Sequence, residues 1–279
     1  MGIESKLRAT SDIKLADIDP SSSPGFKGDK DDSLKILAAG VLEIGEHQER
    51  LYAESLSGGS RSVLLVLQGM DTSGKGGTVV HVLEGVDPHG LKIHAFKAPT
   101  AEEKAHDFLW RITPQLPPPG FLGIFDRSQY EDVLIARVRK LAPADEIERR
   151  YGAIQQFESD LVKSGTTVIK VMLHISADEQ KSRLLARLDD PTKRWKFNPE
   201  DVDERALWDQ YQTAYQIAIQ RTTTDAAPWY VVPANHKWYS RLAVQDILLT
   251  HLRELHADWP TPTYDVAAQQ ARVSASDVE

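Results

Sequence analysis

Val63 to Leu67 are apolar without alternation, and Gly69-Met-Asp-Thr-Ser-Gly-Lys-Gly-Gly77 follows almost at once. An unbroken apolar run of that length reads as a strand buried on both faces of a parallel sheet. Apolar runs recur near 91–96, 121–125, 167–173 and 229–232. Between them the pattern changes to three- and four-residue steps, which predicts helices over 101–112, 129–140, 145–163, 176–188, 203–221 and 239–256. Strands that alternate with helices imply an α/β fold with a parallel sheet covered on both faces. Ahead of the first strand, Leu34, Leu37, Val41, Ile44 and Leu51 predict an amphipathic helix that packs on the core or on another subunit. Pro114-Gln-Leu-Pro-Pro-Pro-Gly120 reads as a rigid connector between a helix and a strand.

The two ends look different. Residues 1–32 are polar and contain Ser21-Ser-Ser-Pro-Gly25, so a flexible N-terminal arm is expected. Residues 33–258 read as one domain, and 261–279 as a flexible tail. With 41% hydrophobic and 27% charged residues, the composition is that of a soluble globular protein. No apolar run reaches the roughly 18–20 residues that span a bilayer, and Met1-Gly-Ile-Glu-Ser-Lys6 lacks the layout of a secretory signal. The chain has no cysteine, which removes disulfides, thiol catalysis and cysteine-bound zinc. A cytoplasmic protein without a membrane role is expected. The net charge of −8 argues against nucleic acid as a partner. Yet Lys181, Arg183, Arg187, Lys193, Arg194 and Lys196 face only Asp189 and Asp190 within one stretch, a candidate polyanion site.

Gly69, Gly74 and Lys75 fit the spacing G-x-x-x-x-G-K, in which backbone amides cradle phosphate oxygens and the lysine reaches the transferring group. Gly76, Gly77 and Thr78 open the helix that follows, whose free amides and positive dipole end favour the same anion. Gly76 stands where a Ser or Thr hydroxyl normally holds magnesium, and Asp71 inside the loop is the group that could replace it. A second apolar strand ends in Asp126-Arg127. A carboxylate at that edge can hold a metal ion, and the guanidinium suits phosphate oxygens. Leu188-Asp-Asp-Pro-Thr-Lys-Arg-Trp-Lys-Phe197 interrupts a basic helix, the layout of a lid over phosphates spanning about 183–205. Arg183 and Arg187 share one helical face there. The nine histidines form no metal spacing on one helix, and no Ser-His-Asp arrangement can be argued.

Taken together these segments resemble the polyphosphate kinase 2 family from about Leu34 to Leu255. The resemblance is carried by Gly69–Gly77, Phe96-Lys-Ala-Pro99, His106-Asp-Phe-Leu-Trp-Arg111, Phe125-Asp-Arg-Ser-Gln-Tyr-Glu-Asp132, Arg187–Phe197 and Asn235-His-Lys-Trp-Tyr-Ser-Arg-Leu242. It implies a P-loop kinase-like parallel sheet flanked by helices, with a helical basic lid. It also implies phosphoryl transfer between inorganic polyphosphate and adenine, or guanine, nucleotides with Mg²⁺ or Mn²⁺. By resemblance, Asp71, Lys75, Asp126, Arg127, Arg183 and Arg187 are catalytic, and Asp71 and Asp126 hold the metal. Gly69, Gly74, Gly76, Gly77, Thr78, Lys97, Arg111, Lys193 and Arg194 bind the phosphate chain. Arg127, Glu131 and Asp132 bind the nucleotide, and a homo-oligomer is expected. Members that use nucleoside diphosphates typically read Asp-Arg-Ser-Trp-Tyr-Asn-Arg after the second strand. Gln129, Glu131 and Asp132 depart from that and lean toward members that accept both AMP and ADP, although Asn is frequent in those at the place of Asp126. Two rivals stand beside this reading: an ATP-dependent nucleoside-monophosphate or small-molecule kinase, and a non-catalytic polyphosphate-binding protein.

Overall fold

The computed structural model describes residues 2–276. In chain order its elements are α1 (Ile3–Leu7), α2 (Lys30–Leu56), β1 (Ser62–Gln68), α3 (Lys75–Val82), β2 (Leu91–Ala95), α4 (Ala101–Lys104), β3 (Leu122–Asp126), α5 (Ile135–Val138) and α6 (Ala144–Lys163). They continue with β4 (Thr166–His174), α7 (Ala177–Asp189), α8 (Glu200–Arg205), α9 (Trp208–Thr222), β5 (Trp229–Pro233), α10 (Lys237–Glu254) and α11 (Val266–Ser274). The strands form one sheet in the order β2-β3-β1-β4-β5, every pair parallel. Strand β1 lies between β3 and β4 and is buried along its whole length, as its unalternating apolar run requires. The register sets Leu67 opposite Asp126, so the phosphate loop and the end of β3 emerge side by side at the carboxyl edge. Ligands of open parallel sheets bind at that edge.

Helix α2 starts at an Asp29 cap whose carboxylate accepts from the amides of Asp31 and Asp32. It turns Leu37, Ile44 and Leu51 inward and packs along α10, while Leu34 faces outward. Two predicted helices are much shorter than their periodicity suggested. Over 101–112 only α4 forms, because beyond it Arg111 is drawn inward to the carbonyl of Lys97. Over 129–140 the chain makes a 3₁₀ turn at Gln129–Asp132 and then α5, because Gln129 and Tyr130 point their polar ends into the core. The helix predicted over 203–221 is broken at Ala206 and Leu207, which divide α8 from α9.

The segment expected as a flexible arm is packed for much of its length. Ile3, Leu7, Ala9 and Leu15 are buried in the main core. The Ala9 amide donates to the Trp229 carbonyl at 2.8 Å, and Arg8 makes an antiparallel bridge to Tyr230. The physical reason is the exposed edge of β5, whose unpaired backbone groups this segment covers. Further on, the Asn235 amide reaches the Pro20 carbonyl at 3.0 Å, and the Tyr239 hydroxyl reaches the Pro24 carbonyl at 2.7 Å. In the tail, α11 carries no buried residue, and residues 277–279 lie outside the described residues.

Truncating Leu7, 4% exposed, separates a packed segment from a free arm. Leu7→Ala is expected to cost about 2–4 kcal/mol in urea unfolding, the range for a buried leucine that leaves a cavity. A change within a few tenths of a kcal/mol would mean that the segment does not dock.

Candidate active site

The loop after β1 is shaped by residues that tolerate a left-handed backbone. Gly69 has φ +148° and Gly74 φ +109°, and a Cβ at Gly69 would lie 2.7 Å from the Leu173 carbonyl oxygen. Thr72 also has positive φ, +66°, a strained choice for a β-branched residue. The strain is held from behind. Buried Arg183 donates to the carbonyls of Thr72 and Ser73 at 2.9 Å each, and to those of Ala234 and Asn235 at 2.6 and 3.0 Å. Its Nε pairs with Glu179 at 2.6 Å. Gln180 donates to the Asp71 carbonyl at 3.1 Å. With these carbonyls turned backward, the free amides of the first turn of α3 face the opening. Lys75 Nζ crosses the loop to the Gly69 carbonyl at 2.8 Å.

A cavity of about 500 Å³ opens above the loop and is lined by Asp71, Lys75, Lys97, Asp126, Arg127 and Arg187, among others. Arg127, at φ +65°, places its guanidinium 3.0 Å from the Asp71 carboxylate. Burial works against the charge of Arg127, but Glu131 and Asp71 more than offset it and hold the guanidinium firmly protonated. Asp201 of α8 closes the same cavity and sits 3.8 Å from Arg187. Burial, with Asp71 as a like charge nearby, raises its carboxyl above the usual range.

Beside this cavity lies a second one of about 310 Å³ that shares Thr72, Gly74, Gly77, Arg187 and Lys196 with it. Its charged lining is Arg183, Arg187, Lys193, Lys196, Lys237 and Arg241, with no acidic residue. Burial and the neighbouring Arg183 and Arg241 push the Lys237 amine below its ordinary value. Three of the six have carboxylate partners outside the lining, Arg183 with Glu179, Arg187 with Asp201 at 3.8 Å and Lys193 with Asp190 at 2.6 Å. That leaves Lys196, Lys237 and Arg241 as the cations most open to an anion.

On the other side of Arg127 the environment reverses. A cavity of about 170 Å³ is lined by Asp71, Glu131, Glu200, Asp201 and Glu204 with Arg127 and Tyr215. Glu131 adjoins it and also a larger space of about 440 Å³ lined by Pro99, Phe108, Asp132, Ile135, Leu141 and Arg150. Burial raises the Glu131 carboxyl, against the pull of Arg127 and Lys75. Burial likewise raises Asp132, although Arg111 and Arg150 stand 3.3 and 3.5 Å away.

The structure therefore brings Asp71, Lys75, Lys97, Asp126, Arg127 and Arg187 to one opening. It separates others from it. Arg183 is spent on backbone carbonyls beneath the loop rather than held free on a lid. Arg111 braces the Lys97 carbonyl against Asp132 and lines the far cavity. Arg194 donates to the Leu188 carbonyl on the outer surface of the lid. Sequence reasoning passed over Lys237, Arg241 and Asp201. The first two stand four residues apart at the start of α10, inside the segment Asn235–Leu242, and that spacing was the available signal. Among the described residues no three acidic or histidine side chains converge as a ready metal cage. Asp71 and Asp126 do offer hard carboxylate oxygens to the same opening. That fits Mg²⁺, which takes one or two carboxylates and completes its shell with phosphate oxygens and water.

The family model described as polyphosphate kinase 2 matches residues 27–259. An AMP/ADP-polyphosphate phosphotransferase of Meiothermus ruber is 47% identical over 90% of this chain and 92% of its own length. An ADP-polyphosphate phosphotransferase of Rhodopseudomonas palustris is 38% identical over 88% of this chain and 87% of its own. The crystal structure of polyphosphate kinase 2 from Arthrobacter aurescens TC1 superposes with a TM-score of 0.97, at 55% identity, over 99% of this chain and 98% of that one.

Two arginines one helical turn apart are expected to behave differently. Arg183→Met leaves buried carbonyls without donors and is expected to lower stability by about 3 kcal/mol or more. Arg187→Met, at the cavity surface, is expected to stay within about 0.5 kcal/mol of the parent. Calorimetric melting of the two variants side by side checks the assignment, and equal losses would refute it.

Proposed function

The chain belongs to the polyphosphate kinase 2 family, and from that membership we propose how its site transfers a phosphoryl group from inorganic polyphosphate to AMP or ADP. The observation that carries the reading is the acid-free lining of the cavity beyond the phosphate loop. A single triphosphate is neutralised by the loop, Lys75 and a metal ion, and leaves Lys196, Lys237 and Arg241 without a purpose. A long phosphate chain engages all of them.

The donor chain lies along Lys237, Arg241 and the lid lysines, with its terminal phosphoryl group on the loop amides and Lys75. Lys97 and Arg187 flank that group. The nucleotide enters from the Glu131–Asp132 side, with its phosphate turned toward Arg127. A nucleotide phosphate oxygen is already ionised near pH 7, so little base catalysis is needed. This oxygen bonds to the terminal phosphorus, the bond to the bridging oxygen breaks, and the shortened chain departs with the electron pair. Such transfers depend on positioning and on charge placed where it develops. Lys75 and Arg127 supply that charge at the reacting group. Asp71 and Asp126 would hold Mg²⁺ or Mn²⁺, which neutralises phosphate charge when bound.

The side chain of Asp71 also fixes Arg127, so it orients the phosphate-binding guanidinium as well. Acceptance of both AMP and ADP belongs to the same reading, supported by the mixed lining of the larger cavity, where Lys104, Arg111 and Arg150 stand among Glu103, Glu131 and Asp132. A homo-oligomer belongs to it as well. A cytoplasmic site of action is a further part of it; no described helix is long and apolar enough to cross a membrane.

ADP and ATP formation from AMP, with polyphosphate as the sole phosphoryl donor and Mg²⁺ present, tests the reading. Asp71→Asn is expected to lower kcat by about 10²–10³-fold while the melting profile stays near that of the parent. Near-parental turnover in that variant would remove Asp71 from the mechanism. Transfer from ATP but not from polyphosphate would favour the small-molecule kinase alternative.

A further inference from the structure

The run of apolar residues in β4 is interrupted by one charge. Lys170 lies between Val66 of β1 and Trp229 of β5, and none of its side chain is exposed. Its three N–H groups are all used: Glu158 of α6 at 2.5 Å, the Tyr130 hydroxyl at 3.2 Å and the Thr222 carbonyl at 2.7 Å. Glu158, 2% exposed, accepts in turn from Tyr130 at 2.8 Å and from the Gln129 side-chain amide at 3.1 Å. Trp229 closes the group, its indole N–H on Thr222 at 2.8 Å and its ring edge-on to Tyr130. The cluster touches no cavity of the phosphate site.

A buried ion pair is weak evidence for stability, since well-packed apolar residues of similar volume often serve as well or better. What this pair does hold is informative. Its two side-chain guests, Gln129 and Tyr130, sit between Arg127 on one side and Glu131 and Asp132 on the other. That stretch has little regular structure of its own. Arg127 is left-handed, Ser128 is extended, and only a single 3₁₀ turn follows. Its course is set from outside, by the Arg127 amide on the Leu67 carbonyl at 3.0 Å, by the Lys170–Glu158 pair on Gln129 and Tyr130, and at its far end by Arg150 on the Asp132 carbonyl at 3.0 Å. Gln68 adds a link from Ser128 to Glu131 through its amide.

We propose that Lys170 and Glu158 are positioning residues for the acceptor nucleotide, gripping Gln129 and Tyr130 so that Arg127, Glu131 and Asp132 face it in register. The inference rests on the functional reading above, in which the nucleotide enters at that segment. The donor chain beyond the reacting group lies on the far side of the phosphate loop, and of the gripped segment only Arg127 also faces that group, so the pair bears chiefly on the acceptor.

Gln129→Leu and Tyr130→Phe, singly and together, cut the grip and leave the ion pair in place. Lys170→Met/Glu158→Leu removes both charges and strands neither. Wild-type transfer from polyphosphate to AMP and ADP is the control that belongs to the functional reading. For the variants, the KM for ADP is expected to rise about tenfold in the grip-cutting double variant, with the KM for polyphosphate within about twofold of the parent. The charge-free double variant is expected to show the same split. Should Gln129→Leu fold poorly, Tyr130→Phe alone, which removes a single oxygen, is expected to show a smaller split of the same sign. Unchanged ADP KM in folded variants would overturn the proposal. So would a parallel rise in both KM values, because a merely structural cluster loosens the whole site.

Discussion

Everything in this site depends on a backbone that has been turned to present its amides forward and its carbonyls back. A strained loop does not hold that attitude alone. Arg183 holds it, with a planar fork spread over four carbonyls from two different strand-to-helix connections. One end of the fork grips the loop after β1, the other the junction between β5 and α10. The same side chain therefore fixes the phosphate cradle and the start of the helix that carries Lys237 and Arg241. Two of the cations beside the cradle, Lys237 and Arg241, are thus placed by the tie that also shapes it.

Charge is then divided across the loop. On one side six basic side chains line the cavity, three of them partnered by carboxylates set behind it, and on the other carboxylates dominate and Arg127 stands at the boundary. A field of that shape orients the two substrates before any specific contact forms. In the proposed function the phosphate-rich donor is the substrate drawn to the basic side, and the nucleotide the one that meets the mixed side with its phosphate directed at Arg127. The acceptor segment has little secondary structure to stiffen it, which is why the buried Lys170–Glu158 pair beneath it matters.

Much of this was legible in the residues. The apolar runs gave all five strands within a residue or two. Strands β1, β3, β4 and β5 are buried along nearly their whole length, whereas β2, read as buried, is an edge strand that leaves Ile93 and most of its length partly exposed. The glycine spacing gave the cradle, because Gly69 and Gly74 take the left-handed turns at its two ends; the left-handed Thr72 between them carried no such signal. Helix length over 101–112 and 129–140 was misread for one reason. Polar side chains such as Arg111 and Gln129 are bought inward by tertiary hydrogen bonds that a three-to-four-residue period does not register. The N-terminal segment was misread as mobile because its few apolar residues, Ile3, Leu7 and Leu15, are too sparse to form a pattern of their own. They are sufficient once β5 offers an edge. Arg183 and Arg187 look equivalent in a basic helix, and only the position of the loop backbone distinguishes a structural tie from a cavity wall.

The central claim is that the basic side of the loop is built for a phosphate chain rather than for a triphosphate. Its most direct test is the dependence of kcat/KM on donor length, with inorganic triphosphate and size-fractionated longer chains as donors to ADP. The account predicts that kcat/KM climbs by about tenfold or more from triphosphate to chains long enough to reach Lys237 and Arg241, and that Lys237→Ala/Arg241→Ala flattens this rise. Triphosphate used as efficiently as long chains, with no effect of the double substitution, would contradict it.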